Sequence, residues 1–266
     1  MALYYNMAFN PKESRTFEKI SRLYDKARIS YPSQLIQDII AYSEMKSDGK
    51  ILDVGCGTGQ ATILFAQRGY YVVGLDVGKD MIDVAKEKCS LFPKVSFKVG
   101  TFEDVELPDS SLDVIASGMA WHWIDPTSGE KKAHRILKRR GTLALFWSYQ
   151  RKEESDFVTA VGTVLDNYGK EDQGPAGSRV KSFISALYDK LKQGKSFTSV
   201  EMREYDMDIE FSKQRYLDLV VSYGWVQILP EKKRKHLVKD LQELYKRYTE
   251  PLVIPYRYVL ILAKRN

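Results

Sequence analysis

Residues 51–60 read Ile51-Leu52-Asp53-Val54-Gly55-Cys56-Gly57-Thr58-Gly59-Gln60. A short apolar run closes on an acid, and three alternating glycines follow. Glycine lacks a Cβ, so such a backbone reaches positive φ and lets a ligand come close. Ala61, Ile63, Leu64 and Phe65 then begin a helical pattern, which sets the loop between a strand and a helix N-terminus. Open α/β sheets bind nucleotides at that place. A glycine-rich turn with no ligand is the alternative, and Gly-x-Gly alone does not separate the two.

Asp76 adds the second part of the pattern. It ends the apolar segment Tyr71-Val72-Val73-Gly74-Leu75, about 17 residues beyond Gly59. In a doubly wound sheet, an acid closing the second strand lies beside the glycine loop and can accept from both ribose hydroxyls. It could instead cap the helix that starts near Lys79, a task open to Gly78 or Asp80 as well. The order strand, glycine loop, helix, strand, acid points to an adenosine ligand. Gln60 stands where a dinucleotide fingerprint has its last glycine, and the Gly-Lys-Ser/Thr of a phosphate loop is absent. Asp53 at the strand tip would repel a pyrophosphate and suits a cation. The ligand expected is a positively charged nucleoside.

Further strands are expected near residues 50–55, 71–76, 95–99, 112–117 and 141–147, separated by helical patterns, which argues a parallel, doubly wound sheet. Tyr205-Asp206-Met207-Asp208-Ile209-Glu210-Phe211 alternates strictly and reads as a half-exposed strand. Tyr256–Ala263 reads as a last strand. Residues 1–46, 151–195 and 212–250 remain as additional helix. Charged residues make up 29% of the 266, and no apolar run approaches the ~18 residues of a membrane span. Met1-Ala2-Leu3-Tyr4-Tyr5-Asn6 lacks the basic start and apolar stretch of a signal peptide, so a cytoplasmic location is expected. Cys56 and Cys89 give neither a disulfide framework nor a metal-ligand spacing. The net charge of +6 suits an anionic substrate or weak nucleic-acid affinity equally. The basic run Lys232-Lys233-Arg234-Lys235-His236 opens an amphipathic helical pattern and reads as a solvated face.

Residues 51–60, Asp76, the stretch Gly100–Ile115 and the stretch Arg135–Leu145 resemble the successive motifs of class I S-adenosylmethionine-dependent methyltransferases, across residues 48–147. Members commonly carry Pro-Gly before the glycine equivalent to Gly141; here Arg139-Arg140 stands there, which is expected to alter a surface turn only. The resemblance implies an α/β fold, a doubly wound, seven-stranded, mainly parallel sheet closed by Tyr205–Phe211 and Tyr256–Ala263 as an antiparallel pair. It implies S-adenosyl-L-methionine as cofactor. It also implies three parts: an N-terminal helical lid (1–46), a cofactor-binding core (47–150), and the remaining strands with helical substrate-lid insertions (151–266). On this resemblance Gly55, Gly57 and Gly59 pass close to the methionine portion and ribose, Asp53 holds the amino group, and Asp76 takes the ribose hydroxyls. Val77 and Met81 sandwich adenine, Thr101, Phe102 and Glu103 border its edge, and Ser117 and Gly118 supply backbone contacts.

The acceptor side is marked by three aromatic clusters. Met119-Ala120-Trp121-His122-Trp123 is similar to the Ala-x-His-Trp signature of small-acid methyltransferases, including the trans-aconitate type. His122 is then placed by the cofactor to position or deprotonate an acceptor; a structural histidine is the alternative. One of Trp121 and Trp123 is expected in the pocket and the other in the core. Tyr24-Asp25-Lys26-Ala27-Arg28-Ile29-Ser30-Tyr31-Pro32 resembles Tyr-x-x-x-Arg-Pro-x-Tyr-Pro, with Ile29 replacing proline. That similarity puts Tyr24 and Arg28 over the cofactor, with Arg28 paired to its carboxylate or to an acidic substrate; a surface ion pair competes. Ser222-Tyr223-Gly224-Trp225 suits a substrate wall and plain lid packing equally, with Tyr223 the expected contact to a substrate hydroxyl. The preferred function is methyl transfer to a small carboxylate or hydroxyl acceptor, since Trp121-His122-Trp123-Ile124-Asp125-Pro126 replaces the Asn/Asp-Pro-Pro-Tyr of base-amino sites. An RNA or protein methyltransferase and a cofactor-binding regulator without turnover are the alternatives.

Overall fold

A computed structural model describes residues 20–170 and 176–266, so the first 19 residues of the expected N-terminal lid lie outside the described residues. The strands are β1 (Lys50–Val54), β2 (Tyr71–Asp76), β3 (Val95–Val99), β4 (Leu112–Gly118), β5 (Leu137–Gln150), β6 (Phe197–Phe211) and β7 (Leu252–Arg265). They form one seven-stranded sheet in the order β3-β2-β1-β4-β5-β7-β6. The first five run parallel, with Ile51 paired to Val72 on one side and Val114 on the other. β7 runs antiparallel between β5 and β6.

The strand sequences explain this order. Central strands of a parallel sheet are covered on both faces and read as continuous apolar runs, as Ile51-Leu52 and Ile115-Ala116 do, all fully buried. Alternate residues then divide between two apolar layers. Ile51, Val72, Val114 and Phe146 face α2 (Ser33–Ser43), α6 (Asp156–Leu165), α8 (Lys213–Val221) and α10 (Glu231–Tyr245). Leu52, Leu75, Leu145 and Trp147 face α5 (Ser128–Ile136) and α7 (Ala176–Gln193). The remaining helices are α1 (Ser21–Ala27), α3 (Thr62–Ala66), α4 (Lys79–Lys88) and α9 (Gly224–Gln227). Among the described residues, no helix is long and apolar enough to cross a membrane.

Two elements are longer than their patterns indicate. β6 begins at Phe197, not near 205. It is an edge strand whose first half exposes both faces, and its register shifts between Thr198 and Glu201, so no alternation marks it. β5 begins at Leu137, and the register against β4 shifts where Arg139-Arg140 replaces the usual pair. Arg140 has φ +61°, a region that costs a side-chain-bearing residue roughly 1–2 kcal/mol.

Candidate cofactor and acceptor cleft

The glycine loop turns over the end of β2. Gly55 and Cys56 both donate their N–H groups to Leu75 O, at 2.8 and 3.0 Å. Gly55, Gly57 and Gly59 have φ of +68°, +53° and +83°. At Gly55 a Cβ would also lie 2.2 Å from Ala120 Cβ, so both dihedral and space require glycine there. Asp76 closes the turn: its Oδ2 accepts from Gly57 N at 2.9 Å and its Oδ1 from Gly78 N at 2.8 Å. The acid therefore fixes the loop and the start of α4 together.

Asp53 lies beneath this loop, 1% exposed, accepting from Thr62 Oγ1 at 2.6 Å. Burial pushes its carboxyl up to about 6, the Thr62 hydroxyl opposes the shift, and the Asp76 charge adds to it. A cation arriving here would be held by a carboxylate already stripped of water.

α1 roofs the loop. Tyr24, Arg28, Asp53, Gly57, Gly118 and Ser148 line one cleft. The Arg28 guanidinium carbon lies 4.4 Å from the Tyr24 ring centroid and 5.5 Å from that of Tyr223, and its buried Nε has no hydrogen-bond partner among the described residues. Gln60 Nε2 donates to Asp25 Oδ1 at 3.1 Å, Lys88 pairs with the same carboxylate, and Arg22 pairs with Glu87 at 2.9 Å. These contacts tie α1 to the glycine loop and α4. Tyr31 supports the cleft from below. Its ring meets Phe146 edge-on at 4.7 Å, and a Cβ on Gly118 would stand 2.4 Å from its hydroxyl.

Other expected site residues are placed elsewhere or used locally. Met81 is buried and its Cε lies 3.9 Å from a Cβ built on Gly57, whereas Val77 is 40% exposed. Phe102 packs in the core, 5.5 Å from Trp121. Thr101 Oγ1 bonds Asp104 Oδ2 at 2.7 Å, and Glu103 accepts from Asp125 N at 3.0 Å. Ser117 is fully buried and donates to Val54 O at 2.9 Å. Trp121 is the core member of its pair, and Trp123 lies against His122 at 4.8 Å.

His122 is on the sheet face opposite Tyr31, beside Phe183 at 6.1 Å. Trp147 Nε1 donates to its Nδ1 at 3.4 Å, and burial alone pushes the imidazole down to about 4. An indole N–H can only donate, so the ring is neutral at pH 7 and carries its proton on Nε2. Arg28, Tyr24 and Tyr223 are thus brought together, and His122 stands apart from them. Ser148 and Gln150 carried no sequence signal; their placement follows from β5 and β7 pairing.

Known proteins agree with this geometry. Residues 52–145 match a family model described as a methyltransferase domain. The uncharacterized methyltransferase Rv3342 of Mycobacterium tuberculosis is 26% identical over 255 residues, spanning 94% of this chain and 96% of that protein. The YcgJ protein of Bacillus subtilis has a TM-score of 0.54 at 19% identity, over 88% of this chain and 98% of that one. The Haemonchus contortus phosphoethanolamine N-methyltransferase 2 in complex with S-adenosyl-L-methionine has a TM-score of 0.53 at 16% identity, over 93% of this chain and 57% of that one. The seven-stranded sheet is the class I methyltransferase fold, and the domain match over residues 52–145 and these relatives support an S-adenosylmethionine-dependent methyltransferase.

Proposed function

We propose that the protein methylates an oxygen of a small-molecule acceptor, a carboxylate or a hydroxyl, under the roof formed by α1, α8 and α9. The observation that carries this reading is the roof itself. Asp25 holds both Gln60 and Lys88, and Arg22 holds Glu87, so the cleft is covered where a macromolecular acceptor would have to approach. The Ala120-Trp121-His122-Trp123 and Tyr24–Pro32 stretches favour the small-acid, trans-aconitate-like subgroup. The division into an N-terminal lid, a binding core and a substrate lid follows from the same reading, as does action in the cytoplasm.

The bound cofactor supplies a methyl group made electrophilic by its sulfonium. Each residue has a part in receiving it. Asp76 takes the ribose hydroxyls beside the Gly57 and Gly78 amides. Asp53 takes the ammonium group, and Met81 flanks the adenine. Tyr24 presents a ring face to positive charge, an attraction worth ~0.5–2 kcal/mol. Arg28 orients a carboxylate within the cleft. His122, with Nδ1 occupied by Trp147, supports the loop after β4 as a hydrogen-bond donor. Covering helices exclude water and align the acceptor, which supplies much of the acceleration in a displacement of this kind.

Incubation with methyl-labelled S-adenosylmethionine and a cell extract tests the reading. Label is expected in low-mass products. Label that stays with the high-mass fraction and is released by nuclease or protease would overturn it.

A further inference from the structure

The loop after β3 leaves the sheet beside Asp76, where Gly100 donates its N–H to Asp76 O at 2.9 Å. Its next residues, 101–107, form neither strand nor helix and are held from α5. Lys132, on α5, donates from Nζ to Glu103 O at 2.8 Å and to Val105 O at 2.5 Å. The same Nζ lies 5.6 Å from the centroid of the buried Phe102 ring. Asp125 adds a further hold. It gives its N–H to Glu103 Oε1 at 3.0 Å, while its carboxylate receives Ser128 N at the start of α5 at 2.7 Å.

The partners that Lys132 takes are informative. Glu103, Asp104 and Glu106 put three carboxylates in this stretch, yet among the described residues Lys132 forms an ion pair with none of them. A lysine that only balanced acids would sit on a carboxylate. This one gives its charged donors to main-chain carbonyls, in bonds about twice as strong as neutral ones, and so sets the path of the backbone. Burial pushes its ammonium below the ordinary lysine value and Arg135 adds to the shift, against the opposing charges of the three acids. Within the loop, Asp104 and Val105 turn their N–H groups back on Thr101, at 3.0 and 3.1 Å. Those of Phe102 and Glu103 have no partner among the described residues.

We propose that Lys132 is a positioning residue for adenine recognition: its grip on the Glu103 and Val105 carbonyls holds the loop after β3 where the main chain meets the edge of the purine. Strand order supplies the direction. β1, with Asp53 at its tip, lies on one flank of β2 and β3 on the other. With the ammonium group on Asp53 and the ribose on Asp76, as in the reading of the cleft given above, the purine is carried toward β3 and its loop. Lys132 touches no part of the cofactor. It acts through the two carbonyls, and its neighbours Phe102 and Glu103 keep their N–H groups as donors for a ligand.

Calorimetry on the wild type, Lys132→Met and Lys132→Arg tests this with two ligands. One is S-adenosylhomocysteine; the other is S-inosylhomocysteine, which differs from it at the hydrogen-bonding edge of the purine. Methionine keeps an unbranched apolar stem and loses every donor. Lys132→Met should weaken S-adenosylhomocysteine about tenfold and S-inosylhomocysteine by less than about twofold, so that the preference between them narrows. Lys132→Arg, whose fork can span two carbonyls, should return the affinity to within about threefold of the wild type. A lysine that served only the fold would lower the melting temperature and leave both affinities of the folded protein unchanged. Amide hydrogen exchange on the wild type gives a second measure that needs no variant: S-adenosylhomocysteine should slow exchange at Phe102 and Glu103. If Lys132→Met fails to fold, that measure decides. Wild-type affinities in Lys132→Met, equal weakening of both ligands, no recovery in Lys132→Arg, or exchange at these two amides indifferent to ligand would each overturn the proposal. Failure of the wild type to bind S-adenosylhomocysteine would instead overturn the cofactor reading of the cleft.

Discussion

Beside β1 and β2, backbone groups do the positioning: Gly57 and Gly78 amides meet the Asp76 carboxylate, and Gly55 turns where no side chain fits. At the β7 end, ring packing does it. Tyr216 is packed among Phe157, Phe211 and Tyr245, at 5.0, 5.5 and 6.1 Å, and the polar atoms are their hydroxyls. The first arrangement depends on dihedral angles and charges only a few ångströms apart, so a single atom can destroy it. The second spreads its energy over many contacts and tolerates a lost hydroxyl with its scaffold intact. A site built on the first plan has little freedom to vary, whereas packing of the second kind can be retuned.

Substitutions should expose that difference. The largest effect is expected for Gly55→Ala. It forces a Cβ against Ala120 and a side chain into positive φ, costing roughly 2–4 kcal/mol; thermal unfolding and calorimetry should show lower stability and cofactor binding lost. Next comes Asp76→Ala, expected to weaken cofactor binding by ~1.5–3 kcal/mol, or roughly 10- to 150-fold. Unchanged affinity in titration would show that Asp76 serves the loop alone.

Asp53 sharpens the contrast through pH. Its carboxyl is raised from the usual 3.8 to about 6, so the folded chain holds this proton more tightly than the unfolded one. Its burden on stability is absent below pH 3.8, grows through that window, and is complete above about 6. Cofactor binding to the ionised form should rise over the upper part of the same range. Asp53→Asn should flatten both dependences, raising the melting temperature near pH 7 while weakening cofactor affinity, as scans and titrations across pH would show. The smallest effect is expected at Arg140→Gly, remote from both ends. Relief of φ +61° should stabilise the fold by roughly 1 kcal/mol in denaturant titration, with cofactor affinity unchanged.

The same contrast explains what was legible in the sequence. The glycine loop, Asp76 and the parallel strands are local patterns, since each depends on residues adjacent in the chain. Tyr24 and Arg28 were found through a local stretch too. The partnership of Arg28 with Tyr223 spans 195 positions, and that of Tyr216 with Gln150 spans 66. Nothing in either neighbourhood announces the other. Phe102 shows that position does not give orientation: it follows β3 as expected, and its ring turns into the core beside Trp121. The aromatic stretch that carries His122 follows β4 as expected, yet strand alternation at Phe146 and Trp147 decides which face receives it.

Placement of β7 in the sheet has a consequence for the order in which the molecule becomes competent. Tyr258, on β7, donates to Ser30 O at 2.9 Å, and Lys264 donates to Ser43 O at 3.0 Å. The strand synthesised last among the described elements therefore anchors both ends of α2, next to the helix that carries Tyr24 and Arg28. On the ribosome, the nucleotide loop can form about 190 residues of synthesis before its cover is pinned, since chains emerge at ≈ 5–20 residues per second. A nascent chain stalled before Leu252 would hold a glycine turn with an unsecured lid. Completion of the last strand is then the event that turns a nucleotide-binding sheet into an enclosed reaction vessel.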